Sequence, residues 1–151
     1  MTKASTKIID GVIDGLEDLI IKVKTLINRL NTSELENKPA PDKWSRKEIL
    51  GHMCDSAFNN MQRFIRVQYE SKPYIVYDQD FWVKSMNYQA KPVNEILNLW
   101  ISLHQQLIHV LKNFPHDKLL ATVMTNEEVT AEFVITDYLD HQLHHFRQLQ
   151  G

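Results

Sequence analysis

The chain of 151 residues is short of the features that would place it in several large classes. It has one cysteine, Cys54, so no disulfide forms within the chain, and the expected compartment is a reducing one. It has only 4 glycines and 5 prolines, too few for a turn-rich β fold. It lacks a surplus of either charge: the net charge is −2 and the isoelectric point about 6.4. No basic stripe is present, which argues against a nucleic-acid partner and against an anionic membrane surface. Asp and Lys interrupt every apolar stretch, so none has the length of a membrane span. The start, MTKASTKIIDG, lacks the apolar run of a signal peptide. The expected location is the cytoplasm.

What remains is a strong helical period. From about Thr6 to Leu30, Ile9, Val12, Leu16, Leu19, Val23, Leu26 and Leu30 recur at threes and fours, which predicts a one-faced amphipathic helix. Gly11 and Gly15 interrupt it and allow a close neighbour. Asn31–Lys43 reads as a connector, with a short helical turn at Thr32–Leu35 and a stop at Pro39 and Pro41. Ser45-Arg46-Lys47-Glu48 is a capping box, so a second long helix starts at Ser45 and runs to about Glu70. Trp44 is placed to pack back on Ile49. The third long helix follows Pro92, from about Val93 to Asn113. His104 and His109 on it diverge by about 140°, and both read as ordinary partly exposed residues. Leu119–Met124 reads as a short extended piece, and Thr130 as the N-cap of a fourth helix. Four long helices in a single domain over residues 1–151 predict an all-α four-helix bundle.

Two stretches carry chemistry. The second helix has a polar stripe of His52, Ser56, Asn59 and Arg63 beside its apolar arc. Such a stripe is either a solvated flank or the wall of a polar cavity. The fourth helix carries three histidines within DYLDHQLHHFRQL: His141, His144 and His145. His141 and His145 are four apart, which stacks both imidazoles on one helical face. Two neutral imidazoles so placed fit one transition-metal ion at bond lengths of about 2.0–2.1 Å. A third ligand must come from elsewhere, and His52, at the edge of the apolar arc, is the best placed. Cys54 is about 200° around the helix from His52 and reads as a buried apolar residue.

The segment Lys43–Trp82 resembles the DinB-like superfamily. The matching features are Trp44-Ser45 before a helix, Gly51-His52, Asp55-Ser56, Asn59, Arg63-Phe64, Pro73, Tyr77-Asp78 and Trp82. His141-x-x-x-His145 and Gln148 match the family's last helix, so the resemblance covers nearly the whole chain. It is closest to a branch of metal-dependent hydrolases and bacillithiol-type thiol transferases. The resemblance implies an up-down-down-up order of the four helices. It also implies a divalent ion, nickel or zinc, at His52, His141 and His145, with a low-molecular-weight thiol as co-substrate in some members. Ala57 stands where such relatives often carry a further histidine.

Two functions follow as expectations. In the first, an enzyme hydrolyses a small substrate or moves a thiol onto an electrophile. Asn59, Arg63, Tyr138 and Trp82 then contact substrate, and Arg63 suits a carboxylate on it. Asp137 orients His141, and the Asp80–Trp82 loop covers the site. In the second, the chain is a non-catalytic metal-binding or interaction module of a stress-response dimer. A homodimer is expected in either case, since several relatives pair through their bundles.

Overall fold

The computed structural model describes residues 3–151, with side chains from Lys7 onward. The described residues hold six α-helices, one short hairpin and two 3-10 turns (Tyr88–Ala90 and His116–Lys118): α1 (Lys3–Arg29), α2 (Thr32–Glu36), α3 (Arg46–Arg66), α4 (Gln79–Met86), α5 (Val93–Lys112), β1 (Thr122–Met124), β2 (Glu128–Thr130) and α6 (Ala131–Gln150). The four long helices, α1, α3, α5 and α6, form an up-down-down-up bundle. α1 packs on α5 and α6, and α3 packs on the same two helices. α1 and α3 are therefore diagonal to each other, as are α5 and α6, while α3 and α5 lie side by side. The α1–α3 and α5–α6 connectors must cross a bundle end, and the connector between the parallel α3 and α5 must run back along the bundle, which is why all three are long.

Local chemistry sets the ends. The Ser45 hydroxyl accepts from the Glu48 N–H while the Glu48 carboxylate accepts from the Ser45 N–H, the full capping box. Asn31 and Glu34 repeat that arrangement at α2. Thr130 caps α6 by accepting from the Phe133 N–H. α3 ends at Arg66, and the residues from Val67 to Glu70 continue as turns rather than as helix.

The apolar arcs meet in two adjoining clusters. One gathers Leu16, Ala57, Phe64, Leu107, Leu111, Ile135 and Tyr138. The other gathers Val23, Leu50, Met53, Cys54, Ile96, Trp100 and Leu149. Gly15 faces Leu139, whose Cδ2 lies 2.6 Å from where a Cβ would sit. Gly11 meets nothing within 4 Å of that position, so only one of the two glycines serves a close approach.

Three parts of the fold differ from what the sequence predicts. The stretch around Asp80–Trp82 is helical rather than a loop, because Asp78 accepts from the Phe81 N–H and caps α4. The extended piece before α6 is half of an antiparallel hairpin, with Thr122 opposite Thr130 and Met124 opposite Glu128. Its β1 strand also bonds the Pro73–Ile75 backbone, through Met124 N–H to Pro73 O and Ile75 N–H to Met124 O. That pairing ties the α3–α4 connector to the hairpin. Finally, His104 is fully buried, whereas His109 is exposed. His104 is satisfied inside the core: Nδ1–H donates to Trp100 O at 2.8 Å, and Nε2 accepts from the Tyr138 hydroxyl at 2.6 Å. A buried imidazole with both nitrogens partnered is stable there as the neutral form.

Candidate metal centre

The polar stripe of α3 is buried. Glu48, His52, Asp55, Ser56, Asn59 and Asn60 are all buried. α4, the turn at Tyr88–Ala90 and α6 cover them. Gly51 permits this. The Tyr88 ring lies against it so closely that a Cβ there would come 2.1 Å from Tyr88 Cδ2. With the ring so seated, the Tyr88 hydroxyl donates to Asp55 Oδ1 at 2.7 Å. Asp55 Oδ2 has no partner, and burial pushes this carboxyl up to about 6, against the pull of the Tyr88 hydrogen bond.

At the N-terminal half of α3, His52 faces α6. Its Nε2 stands 3.1 Å from His145 Nε2, with the rings edge to face. Trp44 lies over His52 at a centroid distance of 4.8 Å, so Trp44 covers the imidazole rather than serving only its own helix start. The protonation pattern follows from the partners. His145 Nδ1–H donates to Gln148 Oε1 at 2.9 Å, while Gln148 Nε2–H reaches His144 Nε2 at 3.4 Å. His145 Nε2 is then a bare lone pair. His52 is pushed down to about 3 by burial first, then by His145 and His141. His145 is also lowered, by burial, against the Gln148 bond. Both imidazoles are therefore neutral at pH 7, the state in which imidazole binds a metal.

The separation of the two nitrogens suits an ordinary N–H···N hydrogen bond. It also suits two ligands on one ion, since nitrogens about 2.0–2.1 Å from a common centre stand about 2.8–3.4 Å apart at right-angled to tetrahedral bond angles. His52 Nδ1 is buried without any partner. The donor set, two neutral imidazoles whose Nε2 atoms face each other, fits a divalent transition ion.

His141 is placed differently. Its side chain is 61% exposed, and its Nε2 stands 3.3 Å from Asp137 Oδ2. Among the described residues no group of three His, Cys, Asp or Glu side chains is gathered closely enough to hold an ion. The structure thus brings together two of the three expected ligands, and it brings Asp137 to the third. Cys54 is buried in the core, where its thiol approaches Ile96 O and is pushed up by burial.

Beside His141 opens a polar cavity of about 220 Å³. Arg63, Tyr138, Asp137 and His141 line it. Asn59 does not: its amide turns back to donate to Asp55 O in its own helix, and Asn60, one residue on, lines the cavity in its place. Trp82 is half-buried with its ring edge to face on Tyr77, and it borders a separate shallow patch with Phe81 and Met86. Tyr77, rather than Trp82, reaches the cavity. The sequence does not point to Asn60 as a site residue, although it lies four residues after Ser56 on the same helical face, a usable signal. Tyr77 enters the sequence reading only through the Tyr77-Asp78 match to the family.

Comparisons with known proteins agree with this fold. The family described as the DinB superfamily matches residues 18–149. "Putative metal-dependent hydrolase BH0277" of Halalkalibacterium halodurans is 26% identical over 85% of this chain and 77% of its own length. "Putative metal-dependent hydrolase YfiT" of Bacillus subtilis is 24% identical over 93% of this chain and 81% of its own. A solved structure of YfiT superposes with a TM-score of 0.87 at 22% identity, covering 99% of this chain and 86% of that one. Its title calls it a probable metal-dependent hydrolase with an unusual four-helix bundle topology.

Proposed function

The chain belongs to the DinB superfamily, and we propose that it is a metal-dependent enzyme acting on a small molecule through an ion held by His52, His145 and His141. The observation that carries the reading is the opposition of His52 Nε2 and His145 Nε2 at 3.1 Å, with His145 held by Gln148 in the tautomer that leaves its nitrogen bare. His141 stands one turn before His145 on the same face. To hold the same ion its ring would have to turn from the cavity side of α6, and Asp137 would then accept its remaining N–H, as a carboxylate does when it orients a ligating imidazole. The ion is nickel or zinc.

A divalent ion held by three imidazoles keeps an open position and lowers the pKa of a water or thiol bound there. The chain's own groups supply the rest. Trp44 and the neighbouring core keep solvent from His52. Arg63 and Tyr138 line the adjoining cavity, and they orient a substrate whose reacting end lies toward His141. The reaction is either hydrolysis or transfer of a low-molecular-weight thiol to an electrophile. The homodimeric state and the cytoplasmic location expected from the sequence belong to the same proposal. No helix among the described residues is long and apolar enough to cross a membrane.

Metal content per chain, measured on untagged protein and on single variants, tests the reading. His52→Ala and His145→Ala are expected to lose the ion, and His141→Ala to lose it as well, with the far-UV spectrum unchanged. A His141→Ala protein that keeps one ion per chain refutes the three-ligand site. A metal-free protein with full turnover in a screen of thiols and esters refutes the chemistry.

A further inference from the structure

The cavity beside His141 has two chemically unlike ends. At one end is the Arg63 guanidinium. It is half-buried, and its recorded hydrogen bonds go only to neutral oxygens: Asn60 Oδ1 at 3.3 Å and Ile75 O at 2.8 Å. Its Nε–H is buried and meets no acceptor. Burial disfavours the charge, and Tyr77 and Asp137 favour it; an arginine keeps its proton regardless. A cation held away from water with part of its donor fork unused is costly unless something completes it. At the other end are Asp137 and His141, 3.3 Å apart. Backbone geometry explains why Arg63 stays in place. The Ile75 carbonyl that it grips belongs to the connector tied to β1, so its head is anchored whether or not a ligand is present.

We infer that this cavity binds a small monocarboxylate that carries a hydroxyl, amine or thiol at its far end. The carboxylate lies on the Arg63 fork, and the donor group points to Asp137 and His141. Asn60 and Ile75 take only two of the five guanidinium N–H groups, and a planar carboxylate matches a guanidinium in two parallel bonds. One cation on this wall suits one negative charge. A phosphate dianion would set excess negative charge facing Asp137, so it is disfavoured. The far end must donate, because Asp137 offers only acceptor oxygens when ionised. The volume of about 220 Å³ lies below the roughly 300–1,000 Å³ of pockets for drug-sized ligands, so the occupant is small or presents only a small end. The inference rests on the proposed function for what the ligand does. It does not rest on it for whether the ligand binds.

Amide-resolved NMR on the metal-free, full-length chain tests this without turnover. The probes are 3-hydroxypropionate, its neutral amide 3-hydroxypropionamide, and propionate, each titrated at constant ionic strength in sodium chloride. The readout is the Arg63 Nε–Hε signal with the backbone signals of Asn60 and Asn126. A saturable shift is expected with 3-hydroxypropionate. Binding at least tenfold weaker is expected for the amide, and intermediate binding for propionate. Arg63→Gln should weaken the carboxylate at least tenfold and leave the amide unchanged. If Arg63→Gln fails to fold, Arg63→Lys keeps the charge without the fork and should bind the carboxylate several-fold more weakly. Equal binding of acid and amide to the wild-type protein overturns the inference, as does full carboxylate affinity in Arg63→Gln. Metal content is a separate measurement. A protein that holds its ion but ignores the carboxylate sinks the cavity assignment alone. A protein that binds the carboxylate but never holds an ion sinks the metal reading alone.

Discussion

Gly51 and Gly11 are both helical glycines, and helix propensity alone predicts the same outcome for both: replacement by alanine stabilises by up to about 1 kcal/mol. The structure separates them. A Cβ at Gly11 meets nothing within 4 Å, and the position is exposed, so Gly11→Ala is expected to gain roughly 0.5–1 kcal/mol. A Cβ at Gly51 would fall 2.1, 2.3 and 2.7 Å from three atoms of the Tyr88 ring. That ring is buried and cannot swing away freely. Displacing it costs about 1–3 kcal/mol as overpacking. It also breaks the bond to Asp55 and leaves that carboxyl wholly unpartnered, at about 1.5–3 kcal/mol. Set against the propensity gain, Gly51→Ala should lose about 1.5–5.5 kcal/mol. Urea unfolding followed by far-UV circular dichroism measures both variants on one scale. In a Tyr88→Ala background the clash is gone, and Gly51→Ala should become neutral or stabilising. A wild-type-background Gly51→Ala protein as stable as Gly11→Ala would refute the packing argument.

Other outcomes follow from the same buried polar face. His104 is held neutral at about 4 by burial, against the bond to Trp100 O, while the unfolded chain titrates near 6.5. The unfolded state therefore binds the extra proton, and stability complete above pH 6.5 falls by roughly 3 kcal/mol as pH drops to about 4. An imidazole carbon signal of His104 titrating near 6.5 in the native protein would contradict this. Asp55 has the opposite sign. Raised to about 6, it costs stability above that pH, so Asp55→Asn should gain on the wild type between pH 4 and pH 8 by about 1–3 kcal/mol in paired unfolding curves. No change in that difference across the range would show that the carboxyl is not held in its raised state. Gln148→Leu should leave the fold intact and weaken metal binding about 10–100-fold, because His145 loses the acceptor that fixes its tautomer. Competition with a chromophoric chelator reads this directly.

The bundle was legible because its information is periodic. Residues at threes and fours on α1, α3 and α5 place the core, and Ser45–Glu48 and Thr130 place two of the helix starts. The His52–His145 pairing followed from the same rules, since each residue lies on a face that its helix periodicity fixes. What escaped was decided by contacts distant in sequence. Nothing near Tyr88 says that its hydroxyl meets Asp55, 33 residues earlier, or that its ring needs a glycine at position 51. His104 looked like a surface histidine because its partner, Tyr138, comes 34 residues later on another helix. α4 was missed because its eight residues are too few for a clear period, although Asp78 was a readable cap. Asn60 rather than Asn59 lines the cavity because a one-residue step turns a side chain by about 100°, and the sequence pattern places Asn59 on the stripe.

The polar stripe on α3 is the feature that favours the proposed site over a scaffold. A solvated flank would leave Glu48, His52, Asp55, Ser56 and Asn59 wet, with ordinary protonation. Instead the chain spends the whole segment from Val67 to Pro92 in covering them, and ties that segment down twice, through Tyr88 on Asp55 and through Ile75 on β1 and Arg63. Covering polar groups costs desolvation that an apolar face would not incur. The cost shows at the buried atoms left without partners: His52 Nδ1, Asp55 Oδ2 and Arg63 Nε. All three lie on this one face of α3, and no other buried side-chain nitrogen or oxygen among the described residues is left so. A bundle selected for stability alone would fill that face with leucine. The opposed imidazoles and the half-buried guanidinium on this face support the proposal that an ion and a small substrate are held there.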